Sequence, residues 1–144
     1  MSDTIVFPDL LGDLRVWLIN HPLLSPLTGG RVFFRIPNSK TPPTAPFMRI
    51  YRSGGGLDPM EDTPMDYPRV SHEIWGVANT DYQNLRSVEA ALKSAYYHGQ
   101  GAQLNPDGTT VMLSGAVVTS IDAPDPDLGW PRIIVDALLT VRIG

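Results

Sequence analysis

The sequence predicts an α+β domain: helix, three strands, helix, two strands, with both helices packed on one face of a mainly antiparallel sheet. Three observations carry that reading. Leu10, Leu14, Trp17 and Leu18, and again Leu85, Val88, Leu92 and Ala95, recur at the spacing of a helix lying on a core. Five other segments have the β-rich composition and alternation of strands. The chain also carries 13 glycines and 14 prolines, which punctuate these segments with turns and long loops. At 144 residues it reads as one domain, 1–144, large enough to bury a core without disulfide or metal staples.

The elements follow in order. Residues 8–20 form the first helix, with Pro8 at its first position and Asp9 at its positive end. His21-Pro22 stops it, and LLSPLTGG makes a loop. RVFFRI (31–36) is a strand ended by Pro37, and a proline-rich loop at 37–46 leads to the strand PFMRIYR (46–52). A loop at 53–68 precedes the third strand, RVSHEIWGV (69–77). Thr80 and Gln83 fit a capping box for the second helix, and Gly99 is placed to end it in the αL conformation. A loop at 99–109, containing NPDG, comes before the last strands at 110–121 and 132–143.

Alternation divides the strands into two faces. Val32, Phe34, Ile36, Met48, Ile50, Val70 and Ile74 are expected to face the helices, with Val111, Leu113, Val117, Val135, Ala137, Leu139 and Val141. The opposite face then receives Phe33, Phe47, Tyr51 and Trp75 among Arg31, Arg35, Arg49 and Arg69, together with Met112, Val118, Ile134 and Leu138. Aromatics with arginine are the composition of a protein–protein interface, so these eight aromatic and arginine residues are the subunit-interface candidates. A bulged or shifted register would instead return some of them to an ordinary core.

Charge narrows the partners. The formal net charge of −4 argues against a general nucleic-acid or anionic-membrane binder. There is no cysteine, which excludes disulfides and thiolate metal sites, and no apolar run approaches the ~20 residues of a membrane span. The opening MSDTIVFPDLLG carries an acid where a secretory leader has bases. From Leu14 to Leu57 there is no acid, whereas residues 58–66 carry Asp58, Glu61, Asp62 and Asp66 without a base. A basic half and acidic loops can form complementary surfaces between copies of one chain.

No catalytic constellation emerges. His21 precedes a proline at a helix end, His98 lies in the last turn of the second helix, and His72 and Glu73 are strand neighbours pointing to opposite faces. SGGG at 53–56 lacks the lysine and following helix of a phosphate loop, and four acids follow it. LDPMED and DAPDPD lack the ligand pattern of a calcium loop. The expectation is a non-enzyme without cofactor or metal.

A short helix ending in HPLLSPLTGG, followed at once by RVFFRIP, resembles the opening of the tail terminator (tail completion) proteins of long-tailed bacteriophages. PFMRIYRSGGG, RVSHEIWGVA, the helix DYQNLRSVEAALKSAY and the closing strand pair continue the likeness through nearly the whole chain. The 53–68 and 99–109 loops depart from the family in length. The resemblance implies a structural virion protein, made in the host cytoplasm and built into the head–tail junction. It implies a ring, typically hexameric, that caps the tail tube and meets the head-side connector. DNA would be met only by passage through the channel, and no membrane is involved. Asp58, Glu61, Asp62 and Asp66 are then candidates for an assembly loop that orders on a neighbour, or for a channel lining that repels DNA. On that expectation, deletion of 55–66 leaves a folded monomer unable to finish tails. Other head–tail connector or head-closure proteins share this layout. A single-stranded nucleic-acid binder stacking bases on Phe33 and Tyr51 is opposed by element order and net charge.

Overall fold

The computed structural model describes residues 7–36, 38, 40–58, 64–80 and 82–143. Four strands form its centre: β2 (Phe47–Gly54), β5 (Arg69–Trp75), β8 (Arg132–Ile143) and β7 (Thr110–Asp122), each antiparallel to the next. At one margin β1 (Val32–Phe33) lies parallel to β2, so the sheet is mixed and not wholly antiparallel. At the other, β6 (Ala102–Gln103) pairs only with Val111 and Met112 of β7. Helices α1 (Leu10–Asn20) and α3 (Tyr82–Tyr97) share one face of the sheet with the short α2 (Ser25–Thr28).

Helix α1 begins two residues later than its sequence suggests. Asp9 is the N-cap, its carboxylate accepting from the Gly12 N–H at 3.0 Å, and Pro8 precedes the cap. Part of the expected loop is helical: SPLT turns once and ends on Gly29 at φ 57°. The stripe of α3 is as read, with Leu85, Val88, Leu92 and Ala95 buried against the sheet. Full burial of each large side chain contributes about 1.5–3 kcal/mol. The Thr80 hydroxyl accepts the N–H of Val77 at 2.8 Å, and the helix begins at Tyr82. Its C-terminal end differs from expectation. Gly99 does not have a positive φ. It is glycine by proximity, since a Cβ there would lie 3.0 Å from the Ala95 carbonyl and 2.5 Å from the Met112 side chain.

Three strand expectations are corrected. Residues 34–36 leave the ladder, and Phe34 and Ile36 are 44% and 67% exposed instead of core. Parallel pairing is the reason: the chain must turn back through 34–46 to start β2 beside β1. In β7 the register shifts between Met112 and Ser114 and again between Val117 and Thr119. Met112 therefore enters the core while Leu113 turns outward. Lastly, much of the 53–67 stretch belongs to the sheet. β3 (Leu57–Asp58) and β4 (Met65–Asp66) prolong the β2–β5 hairpin, and β4 pairs with β8 at Arg142 and Val141. Deleting 55–66 would remove these strands as well as the loop, so it does not isolate the loop's role.

Candidate functional site

The face of the sheet turned away from the helices carries most of the expected interface residues, but the subunit covers part of it itself. Phe47 and Trp75 are each 1% exposed. Their rings lie parallel at 6.2 Å, and Trp130 meets Trp75 edge-on at 6.4 Å. Phe33, Ala45, Val77 and Leu128 close this second core. The turn that delivers Trp130 is built by Asp125, whose carboxylate accepts from the N–H groups of Asp127 and Leu128, with Gly129 at φ 68°. Phe47 and Trp75 are therefore internal and unavailable to a partner. The covering residue came from a segment that reads as an acidic loop.

The arginines are likewise largely spoken for. Arg49 donates to Glu73 at 3.1 Å and lies 4.4 Å from the centre of the half-buried Tyr51 ring. Glu73 also accepts from Trp75 Nε1 at 3.3 Å and sits 3.7 Å from Arg132. Arg69 donates to Asp136 at 2.9 Å, and Ser71 Oγ to the same carboxylate at 2.7 Å. Burial pushes Asp136 up, but the bonds from Ser71 and Arg69 outweigh it and hold the carboxyl below its ordinary value. Arg31 bonds the carbonyls of Pro46 and Leu27. Arg35 is exposed and has no partner among the described residues.

The acidic candidates fare similarly. Asp66 is 3% exposed and holds Arg52 through two bonds of 2.7 and 2.8 Å, so it joins strands instead of lining a channel. Asp58 is half-buried in β3. Glu61 and Asp62 lie outside the described residues. Basic half and acidic loop thus meet, in part, inside one chain.

Among the described residues, the margins beside β1 and beside β7 combine exposed apolar side chains with a groove. Beyond β1, Phe34 and Ile36 flank a groove of about 430 Å³ that Arg15 and Arg35 also line. Beside β7, a groove of about 650 Å³ runs along residues 115–120, with Lys93 and Tyr97 of α3 as its other wall. Sequence alternation assigned Phe34, Ile36 and Leu113 to the core. The unpaired margins could have been sought only in the proline-rich run after Ile36 and in the exposed alternation around Val118.

Among the described residues no chemistry-bearing cluster competes with these surfaces. His72 and Glu73 do face opposite sides, His72 being sealed in the main core against Tyr96. The His21 ring, at the end of α1, accepts the N–H of Leu23 at 3.2 Å. Among the described residues no three His, Asp or Glu side chains converge as metal ligands, and no helix is long and apolar enough to cross a membrane.

No protein-family model matches the sequence, and no curated protein does. Among solved structures, the fold is similar to that of a chain in the virion of a native gene transfer agent (GTA) particle, with a TM-score of 0.61. The likeness covers 93% of this chain and 98% of that chain at 14% sequence identity. The chain shares the fold of a virion component. At that identity the likeness is one of architecture.

Proposed function

We propose that this chain is a structural subunit of a phage-like virion. Within that class it acts as a ring-forming tail terminator, capping the tail tube and presenting a surface to the head-side connector. One observation carries the reading: the fold matches a GTA virion chain from end to end, with neither partner left substantially uncovered. The arrangement of the sheet agrees with it. Two unlike margins, separated by β2, β5 and β8, give a subunit the two different surfaces that a heterologous ring requires. The role is mechanical, and DNA is met only as it passes through the ring.

The test is loss of the chain during particle assembly. A terminator's absence leaves tail tubes overlong and unattached to heads, and adding the purified protein restores uniform tails. Tails of normal length beside heads that leak DNA would assign the chain to head closure. Infectious particles without it would remove the virion role altogether. Negative-stain microscopy of the protein on tubes should show a ring with a central hole at one end.

A further inference from the structure

Among the described residues nothing pairs with the outer side of β7 from Ser114 to Asp122, nor with the outer side of β1. Open strand margins of this kind template the addition of another strand, and proteins that do not use them usually cover or charge them. Here apolar side chains stand exposed beside both, among the polar Thr119 and the charged Asp122 and Arg35. Val118 and Ile121 are 43% and 57% exposed next to the β7 margin, and Phe34 and Ile36 follow directly from β1. The groove along residues 115–120, walled by Tyr97 and Lys93, has the form of a strand-and-helix slot that an extended peptide fills.

We propose that copies of this chain join edge to edge: the segment Phe33–Ile36 of one copy lies along the β7 margin of the next. This rests on the ring reading above and specifies its interface. Phe34 and Ile36, two residues apart, fall on one side of the added strand, where Tyr97 and Val118 offer apolar surface. Charge favours a second copy as the occupant. The donor segment brings Arg35, with Arg15 over the Phe34 ring at 5.8 Å and no acid in the sequence between Leu14 and Leu57. Around the receiving strand and the turn after it, Glu89, Asp122 and Asp125 are paired with Lys93, Arg86 and Arg132, and Asp127 leaves the region one carboxylate in excess. Because β2, β5 and β8 separate the β1 margin from the β7 margin, the contact is head-to-tail, and a closed ring covers both margins in every subunit.

The chain has no cysteine, so introduced thiols report the contact cleanly. Phe34→Cys and Val118→Cys change exposed side chains, and far-UV circular dichroism with an unchanged Tm verifies the fold of each variant. Under conditions where microscopy shows rings, alone or on tail tubes, a short thiol-reactive cross-linker should give the double variant a ladder ending at the ring's subunit number. A mixture of the two single variants should give dimers only, and either alone should give none. Val118→Lys should abolish rings without changing the subunit's Tm. Rings without the ladder would overturn the edge contact and leave the ring reading standing. Cross-linking of Val118→Cys to the tube protein instead of a second copy would also overturn it. If neither the wild type alone nor tube-bound material forms rings, the ring reading falls, and this inference with it.

Discussion

His72 shows how one core side chain ties the subunit's stability to pH. Its Nδ1 lies 2.9 Å from the Val135 carbonyl and its Nε2 2.6 Å from the Tyr96 hydroxyl. A carbonyl can only accept, so Nδ1 carries the proton and Nε2 accepts from Tyr96. Both bonds serve the neutral ring, and burial pushes its pKa down from 6.5 to about 4. The unfolded chain therefore binds a proton between those values that the folded chain refuses. The contribution is complete above the unfolded pKa and is lost as pH falls from 6.5 toward about 4. At about pH 5 the subunit should be roughly 2 kcal/mol less stable than at neutral pH, read from urea midpoints. His72→Gln should be weaker at neutral pH and should flatten that slope. A wild-type profile that is level over this window would refute the assignment. Asp136, whose carboxyl is held below its ordinary value, adds its own loss only at lower pH, so the histidine window stays separate.

At the scale of elements, α3 packs close on β7 because a glycine permits it. A Cβ on Gly115 would stand 2.8 Å from the Tyr96 ring and 3.2 Å from Leu139. Gly115→Ala should cost about 1–3 kcal/mol by overpacking, measured as a lower urea midpoint with unchanged slope. An unaltered midpoint would mean that the helix rides higher than described. Elements that bury one regular stripe were legible in the sequence. In α3 four apolar residues repeat at helical spacing, and in β8 Val135, Ala137, Leu139 and Val141 are buried while Leu138 is exposed. β7 was misread because a bulge is an insertion in pairing, which leaves no trace in composition. Phe34 and Ile36 alternate like core residues yet lie beyond the last rung of a parallel pair, and pairing direction is a property of two segments. Phe47 and Trp75 were placed on the correct side, but their cover, Trp130, arrives from a turn that gave no apolar periodicity. Local pattern was readable, and long-range cover was not.

For the whole molecule, the decisive balance is between what a lone subunit satisfies and what it leaves open. The chain of 15.8 kDa exposes 7873 Å². A compact monomer of that mass exposes about 7,300 Å², so the subunit is nearly as compact as a chain that folds alone. Arg49, Arg52 and Arg69 find their carboxylates within the chain, and Trp130 seals the aromatic centre of the far face. Among the described residues, the strand margins beside β1 and β7 keep apolar and charged side chains exposed, as do scattered positions such as Phe7, Val16 and Leu23. Such a subunit folds first and assembles second. Its Tm should be independent of protein concentration over a hundredfold dilution, because a chain whose folding required the ring would lose stability by mass action. Ring yield should behave differently. The contact pairs exposed opposite charges across short apolar strips, so raising salt from low to about 1 M should lower the yield of rings while leaving Tm nearly unchanged. Calorimetry on the dilute and concentrated protein, beside analytical ultracentrifugation across the salt series, separates the two quantities. A Tm that rises with concentration would show that the open margins are essential to the fold itself, and the order of folding and assembly argued here would be reversed.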